Sequence, residues 1–126
     1  MDIREIRSDL IMTDFYFSEC SIKRRMKIED DKLKINIEKS VDSDGDTFHV
    51  QVKLTITHEG GDLDISVTAN AVFQISGSMI ENREKVVQEN TIAIMFPFIR
   101  SEVTLLTSQP GMTPIVLPTI NTRKLV

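Results

Sequence analysis

The apolar positions change rhythm along the chain, and each change marks a boundary. Between Phe48 and Thr57 they alternate without a break. Phe48, Val50, Val52, Leu54 and Ile56 hold one parity; His49, Gln51, Lys53, Thr55 and Thr57 hold the other. Successive side chains of a strand point to opposite faces, so this run predicts a half-buried strand. Leu33, Ile35 and Ile37 alternate with Lys34, Asn36 and Glu38, and Leu63, Ile65, Val67 and Ala69 with Asp64, Ser66 and Thr68. Ser40–Asp46, centred on VDSDGD, and Glu59-Gly60-Gly61-Asp62 separate these runs and predict turns. Upstream, Phe15, Phe17, Ile22, Met26 and Ile28 alternate imperfectly, which suggests an extended, bulged strand from Asp14. The parity also loosens after Asn70-Ala71, a candidate bend, before the strand ends near Ser76. Ile3, Ile6 and Leu10 fit a short helix or a loose lead-in equally well. Short turns with no intervening crossover helices favour an antiparallel sheet.

After Gly77 the alternation stops. Met79–Gln88 is helical in composition, with Glu81 and Lys85 spaced to pair. Thr91–Ser108, TIAIMFPFIRSEVTLLTS, is the most apolar run in the chain. Phe96, Ile99, Val103 and Leu106 recur at spacings of three and four, which places them on one face of a helix. Pro97 sits either in its first turn or at a kink in a helix starting near Ile92. Such a face needs cover, because a short helix is marginal alone in water. Pro110 and Gly111 end the helix. Beyond them Pro114 and Pro118 interrupt Ile115, Val116, Leu117 and Ile120, which predicts an extended crossing segment.

Composition narrows the function classes. The chain has 126 residues, enough for one domain with a modest core, so that an oligomer is reasonable. A net charge of −4 argues against a generic nucleic-acid binder. The single cysteine, Cys20, excludes an intrachain disulfide and fits a cytoplasmic location. The mixed start MDIREIRSDL lacks a signal-peptide core, and no apolar stretch is long enough for membrane insertion.

No catalytic constellation assembles. Cys20 has no base marked out for it and reads as a small packed residue. Asp42, Asp44 and Asp46 begin like a calcium loop, but Gly45 comes too early and Lys53 stands where the bidentate glutamate belongs; turn chemistry explains them better. His49 and His58 show no zinc-ligand spacing with Cys20. Glu81, Glu84 and Glu89 read as a solvated helix face. No enzyme, cofactor or metal is therefore expected.

The helix and the proline-rich end carry a resemblance to the bacterial SecB family of export chaperones, which includes SecB-like chaperones serving toxin–antitoxin systems. Met95-Phe96-Pro97-Phe98-Ile99-Arg100, followed by Glu102, resembles the segment that leads the family's long helix. Thr113-Pro114 and Leu117-Pro118-Thr119-Ile120-Asn121 resemble its crossing segment, and Val72-Phe73-Gln74-Ile75-Ser76-Gly77 its apolar strand end. The resemblance implies an α+β fold: a four-stranded antiparallel sheet of order 1-4-3-2 with two helices packed on one face. The chain would form a single SecB-like domain over 1–126, with strands within 14–76 and the helical half and crossing segment in 77–126.

The implied activity is that of an ATP-independent holdase for unfolded or precursor polypeptides, serving protein export. The implied assembly is a homo-oligomer, a dimer or a dimer of dimers (homotetramer). Client-binding candidates, matched position by position, are Phe73, Ile75, Met95, Phe96, Phe98, Leu106, Met112, Ile115 and Leu117. Two departures bear on the SecA motor as a partner. The sequence ends at Val126, where the export chaperone continues into a further helix and an acidic zinc-binding tail. The family's acidic and leucine contact on the third strand also carries over poorly, because Asp64, Ile65 and Ser66 occupy that region without the glutamate. The alternative is a dedicated chaperone or adaptor for one partner, such as an antitoxin, without a SecA role. Phe96, Ile99, Val103 and Leu106 fit core or subunit interface better than a client surface.

Overall fold

The computed structural model describes residues 10–25, 33–75 and 83–119. It contains β1 (Leu10–Arg24), β2 (Leu33–Asp44), β3 (Thr47–His58), β4 (Leu63–Ile75) and α1 (Arg83–Thr107). The strands form one antiparallel sheet in the order β1-β4-β3-β2, the order the resemblance implies. β1 begins at Leu10, so the short-helix alternative for Leu10 is replaced by strand; Ile3 and Ile6 lie outside the described residues.

β3 and β4 are central, and their alternation is strict. Phe48 pairs with Phe73, Val50 with Ala71, Val52 with Ala69, Leu54 with Val67 and Ile56 with Ile65. All ten side chains are buried on one face. The parity of β4 holds through Asn70-Ala71, so the bend expected there is absent. The irregularity lies on the neighbouring strand. β1 slips register between Met12 and Asp14 and between Phe17 and Glu19. Each slip inserts one residue, Thr13 or Ser18, and flips the parity after it. Both insertions find partners: Thr13 Oγ1 donates to the Val72 carbonyl (3.3 Å), and Asn70 Nδ2 donates to Ser18 Oγ (2.7 Å). β2 runs through Ser40–Asp44, where a longer turn was expected; the hairpin turn itself contains Gly45, at φ 63°. That left-handed conformation is cheap only for glycine.

The expectation of two helices is overturned: the described residues hold one, and it is continuous. The Thr91 hydroxyl donates to the Val87 carbonyl, so Asn90-Thr91 does not break the helix. Pro97 lies inside it. A mid-helix proline removes one hydrogen bond to the carbonyl four residues back, here Ala93. Ala93 and Pro97 are both exposed, so water can satisfy that carbonyl. On the other side Ile92, Met95, Phe96, Ile99 and Val103 are buried in the core shared with the sheet. Burial of that face outweighs the lost bond. Met79–Asn82 lie outside the described residues. From Ser108 to Thr119 there is no regular secondary structure, as the prolines predict.

Candidate functional site

Residues 112–119 run back along α1 and are pinned to it. Thr107 Oγ1 donates to the Val103 carbonyl and accepts from the Ile115 amide, both at 2.8 Å. Thr104 Oγ1 donates to the Ile115 carbonyl (2.8 Å), and Arg100 Nε to the Leu117 carbonyl (3.0 Å). Arg24, at the end of β1, clamps the turn between helix and segment by donating to the carbonyls of Pro110 (2.7 Å) and Gly111 (3.4 Å). Proline-rich backbone has no ladder of its own, so side chains of the helix satisfy it. The sequence motif around Arg100 thus has a structural duty: it fixes the crossing segment.

Pinned this way, the segment alternates. Leu117 is buried and Ile115 and Met112 are half-buried against the core, while Pro114, Val116 and Pro118 face water. Between the outer flank of α1 and the segment lies an open groove of about 530 Å³, lined by Pro97, Arg100, Ser101, Thr104, Leu105, Ser108, Val116 and Leu117. Leu105 and Val116 stand 68% and 70% exposed beside it. Two turns back from Leu105 along α1, Phe98 is 49% exposed and meets Phe15 of β1, which in turn stacks edge-on against Phe17.

The nine residues singled out from the sequence therefore divide. Phe98, Leu106, Met112 and Ile115 reach the surface in part. Phe73, Ile75, Met95, Phe96 and Leu117 are buried within the chain. Phe15, Phe17, Leu105 and Val116 were not singled out. The parity flips in β1 conceal which phenylalanines share a face. Leu105 and Val116 sit off the apolar stripes, where sequence reading expects solvent.

Cys20 is exposed on β1. Burial of its thiol, then the neighbouring Glu102 carboxylate, raise its pKa above the ordinary thiol value. Among the described residues no group of three or more His, Cys, Asp or Glu is placed to hold a metal ion. Asp42 lies in β2 opposite His49 rather than in a cation loop. No described helix is long and apolar enough to cross a membrane.

Among the described residues the sheet is covered on one face by one helix, with a pinned extended segment and apolar side chains left facing water. The chain belongs to the SecB family: residues 12–126 match the family described as Preprotein translocase subunit SecB. Its fold is accordingly that of the SecB-like chaperones. The fold is similar to that of a Mycobacterium tuberculosis SecB-like chaperone, solved in complex with a ChAD peptide from the HigA1 antitoxin. The TM-score is 0.73 at 15% identity, covering 88% of this chain and 90% of that one. A Streptococcus agalactiae protein of unknown function is similar at a TM-score of 0.55 and 13% identity, over 87% of this chain and 97% of that chain. An uncharacterized protein of Methanocaldococcus jannaschii is 28% identical over 57 residues, 45% of this chain and 37% of that protein's length.

Proposed function

We propose that this SecB-family chain is a dedicated holdase that keeps an apolar, extended segment of one partner, such as an antitoxin, from aggregating. The observation that carries this reading is the apolar surface that α1 and its neighbours turn to water. Phe98 with Phe15 and Phe17 forms one part of it; Leu105 and Val116, flanking the groove beside the crossing segment, form another. Exposed apolar surface is costly and is covered when a client binds. Phenylalanine and methionine side chains accept varied apolar partners, and no step requires ATP. The antitoxin peptide bound by the structurally similar mycobacterial chaperone supports the dedicated reading.

General service in protein export is the second reading, favoured by the family's own description. Client range separates them. Purified chain is added without nucleotide to several unrelated proteins aggregating after dilution from denaturant, and to one candidate antitoxin. The dedicated reading expects protection of the antitoxin alone. Protection of all clients moves the assignment to general export.

The same surfaces bear on assembly. Leu105 faces water from the helix side away from the sheet, as an oligomer-forming helix would present it. We infer a homo-oligomer, a dimer or a dimer of dimers, checked by native mass; a monomer at working concentration overturns this.

A further inference from the structure

The face of the sheet turned away from α1 carries a second cavity, of about 260 Å³. Neighbouring rungs of the ladder build it. Ser40, Gln51, Asn70 and Tyr16 stand side by side across β2, β3, β4 and β1, and Asp42 and His49 stand one rung nearer the β2–β3 turn. In β2 and β3 these are the positions of polar parity, opposite the core. The bulge at Thr13 brings Tyr16 to them. Without that insertion Tyr16 would share the parity of Leu10 and Met12 and face the core.

The hydrogen bonds inside the cavity are unevenly spent. Gln51 Nε2 donates to Asn70 Oδ1 (3.0 Å), and Asn70 Nδ2 donates to Ser18 Oγ (2.7 Å). These bonds aim the amide donors toward β4 and β1 and leave Gln51 Oε1 as an acceptor. The Asp42 carboxylate has no ion-pair partner among the described residues. Tyr16, 54% exposed, sets an aromatic ring at the rim. One carboxylate, one amide oxygen and one exposed ring suit a cation that carries several donors. The surrounding charge agrees: on this face the rungs nearest the β2–β3 turn carry Asp14, Asp42 and Asp44 and no lysine or arginine.

We propose that this cavity takes the guanidinium of an arginine presented by a protein partner. The guanidinium forks onto the Asp42 carboxylate and Gln51 Oε1 and stacks on Tyr16. A lysine ammonium is a point donor without a planar face, so it fits less well. The cavity lies on the opposite side of the sheet from α1. A basic partner therefore docks here while the α1 surface holds a client, and the inference does not depend on the client reading.

The test titrates the isotope-labelled full chain with a blocked peptide that sets one arginine between glycines, and with its lysine and citrulline counterparts, following backbone amide shifts. Citrulline keeps the shape of arginine and removes its charge. Saturable shifts are expected at Tyr16, Asp42, His49 and Gln51, and none at Lys34 and Thr57, which pair at the far end of the same face. The arginine peptide is expected to bind about tenfold tighter than the citrulline peptide, with the lysine peptide between them. In Asp42→Asn the ratio of arginine to citrulline falls to about one, and in Tyr16→Leu the preference for arginine over lysine is lost. Equal binding of the three peptides to the wild-type chain, shifts spread over every exposed carboxylate, or an unchanged preference in folded Asp42→Asn overturns the proposal. Absence of saturable binding to the wild-type chain overturns it as well. The wild-type comparison needs no variant to fold. Failure of the candidate antitoxin to bind would remove the client reading and leave this result standing.

Discussion

Phe15 on β1 and Phe98 on α1 meet with ring centroids 5.0 Å apart and planes inclined by 38°, yet Phe98 remains half exposed. Aromatic pairs in tilted or offset geometry are favourable, so Phe98 is held in place while part of its ring faces water. It is presented rather than packed away. Phe98→Ser is expected to weaken binding of an unfolded polypeptide about tenfold while lowering stability by only about 1 kcal/mol. Phe73→Ala is its counterpart. Phe73 is fully buried between β3 and β1, so truncation opens a cavity and costs about 3–5 kcal/mol. Chemical denaturation beside a binding titration separates the two. Equal stability losses would remove the distinction between presented and packed rings.

Thr107 joins the helix to the crossing segment through one hydroxyl that both donates and accepts. Thr107→Val keeps the shape but orphans the Ile115 amide, at a cost of about 1–2 kcal/mol. Hydrogen exchange at Ile115 and Leu117 is expected to accelerate while β3 stays protected. Uniform acceleration across the sheet would mean that the segment is not a separately releasable unit.

The Cys20 thiol is raised first by burial and next by the Glu102 carboxylate. Only the thiolate is a nucleophile, so alkylation at neutral pH is expected to be slower than for a free thiol. Glu102→Gln removes a negative charge that opposes ionisation. The thiol pKa then falls, and the midpoint of the alkylation rate against pH moves down. An unmoved midpoint would show that Glu102 does not act on the thiol.

The sheet was legible because β3 and β4 alternate strictly, so one parity per strand fixes the buried face. The order of strands came with the family resemblance. Thr13 and Ser18 hid the packing of β1, because an inserted residue reverses parity without any local mark. Pro97 left open a helix start or a kink in a longer helix; it lies inside α1, where the core contacts of Met95, Phe96 and Ile99 outweigh its cost. Phe98, Leu106, Met112 and Ile115 lie where a client can reach them. Phe73, Ile75, Met95, Phe96 and Leu117 share their hydrophobicity and differ only in burial, a property of the tertiary structure.

The most direct measurement is a calorimetric titration of the chain with the unfolded candidate antitoxin in the absence of nucleotide, repeated with Phe98→Ser and Ile115→Ser. Saturable binding with a negative heat-capacity change, weakened in both variants while their folds persist, is the expected result. No binding by the wild-type chain, or binding indifferent to both substitutions, would contradict a client surface bordering α1.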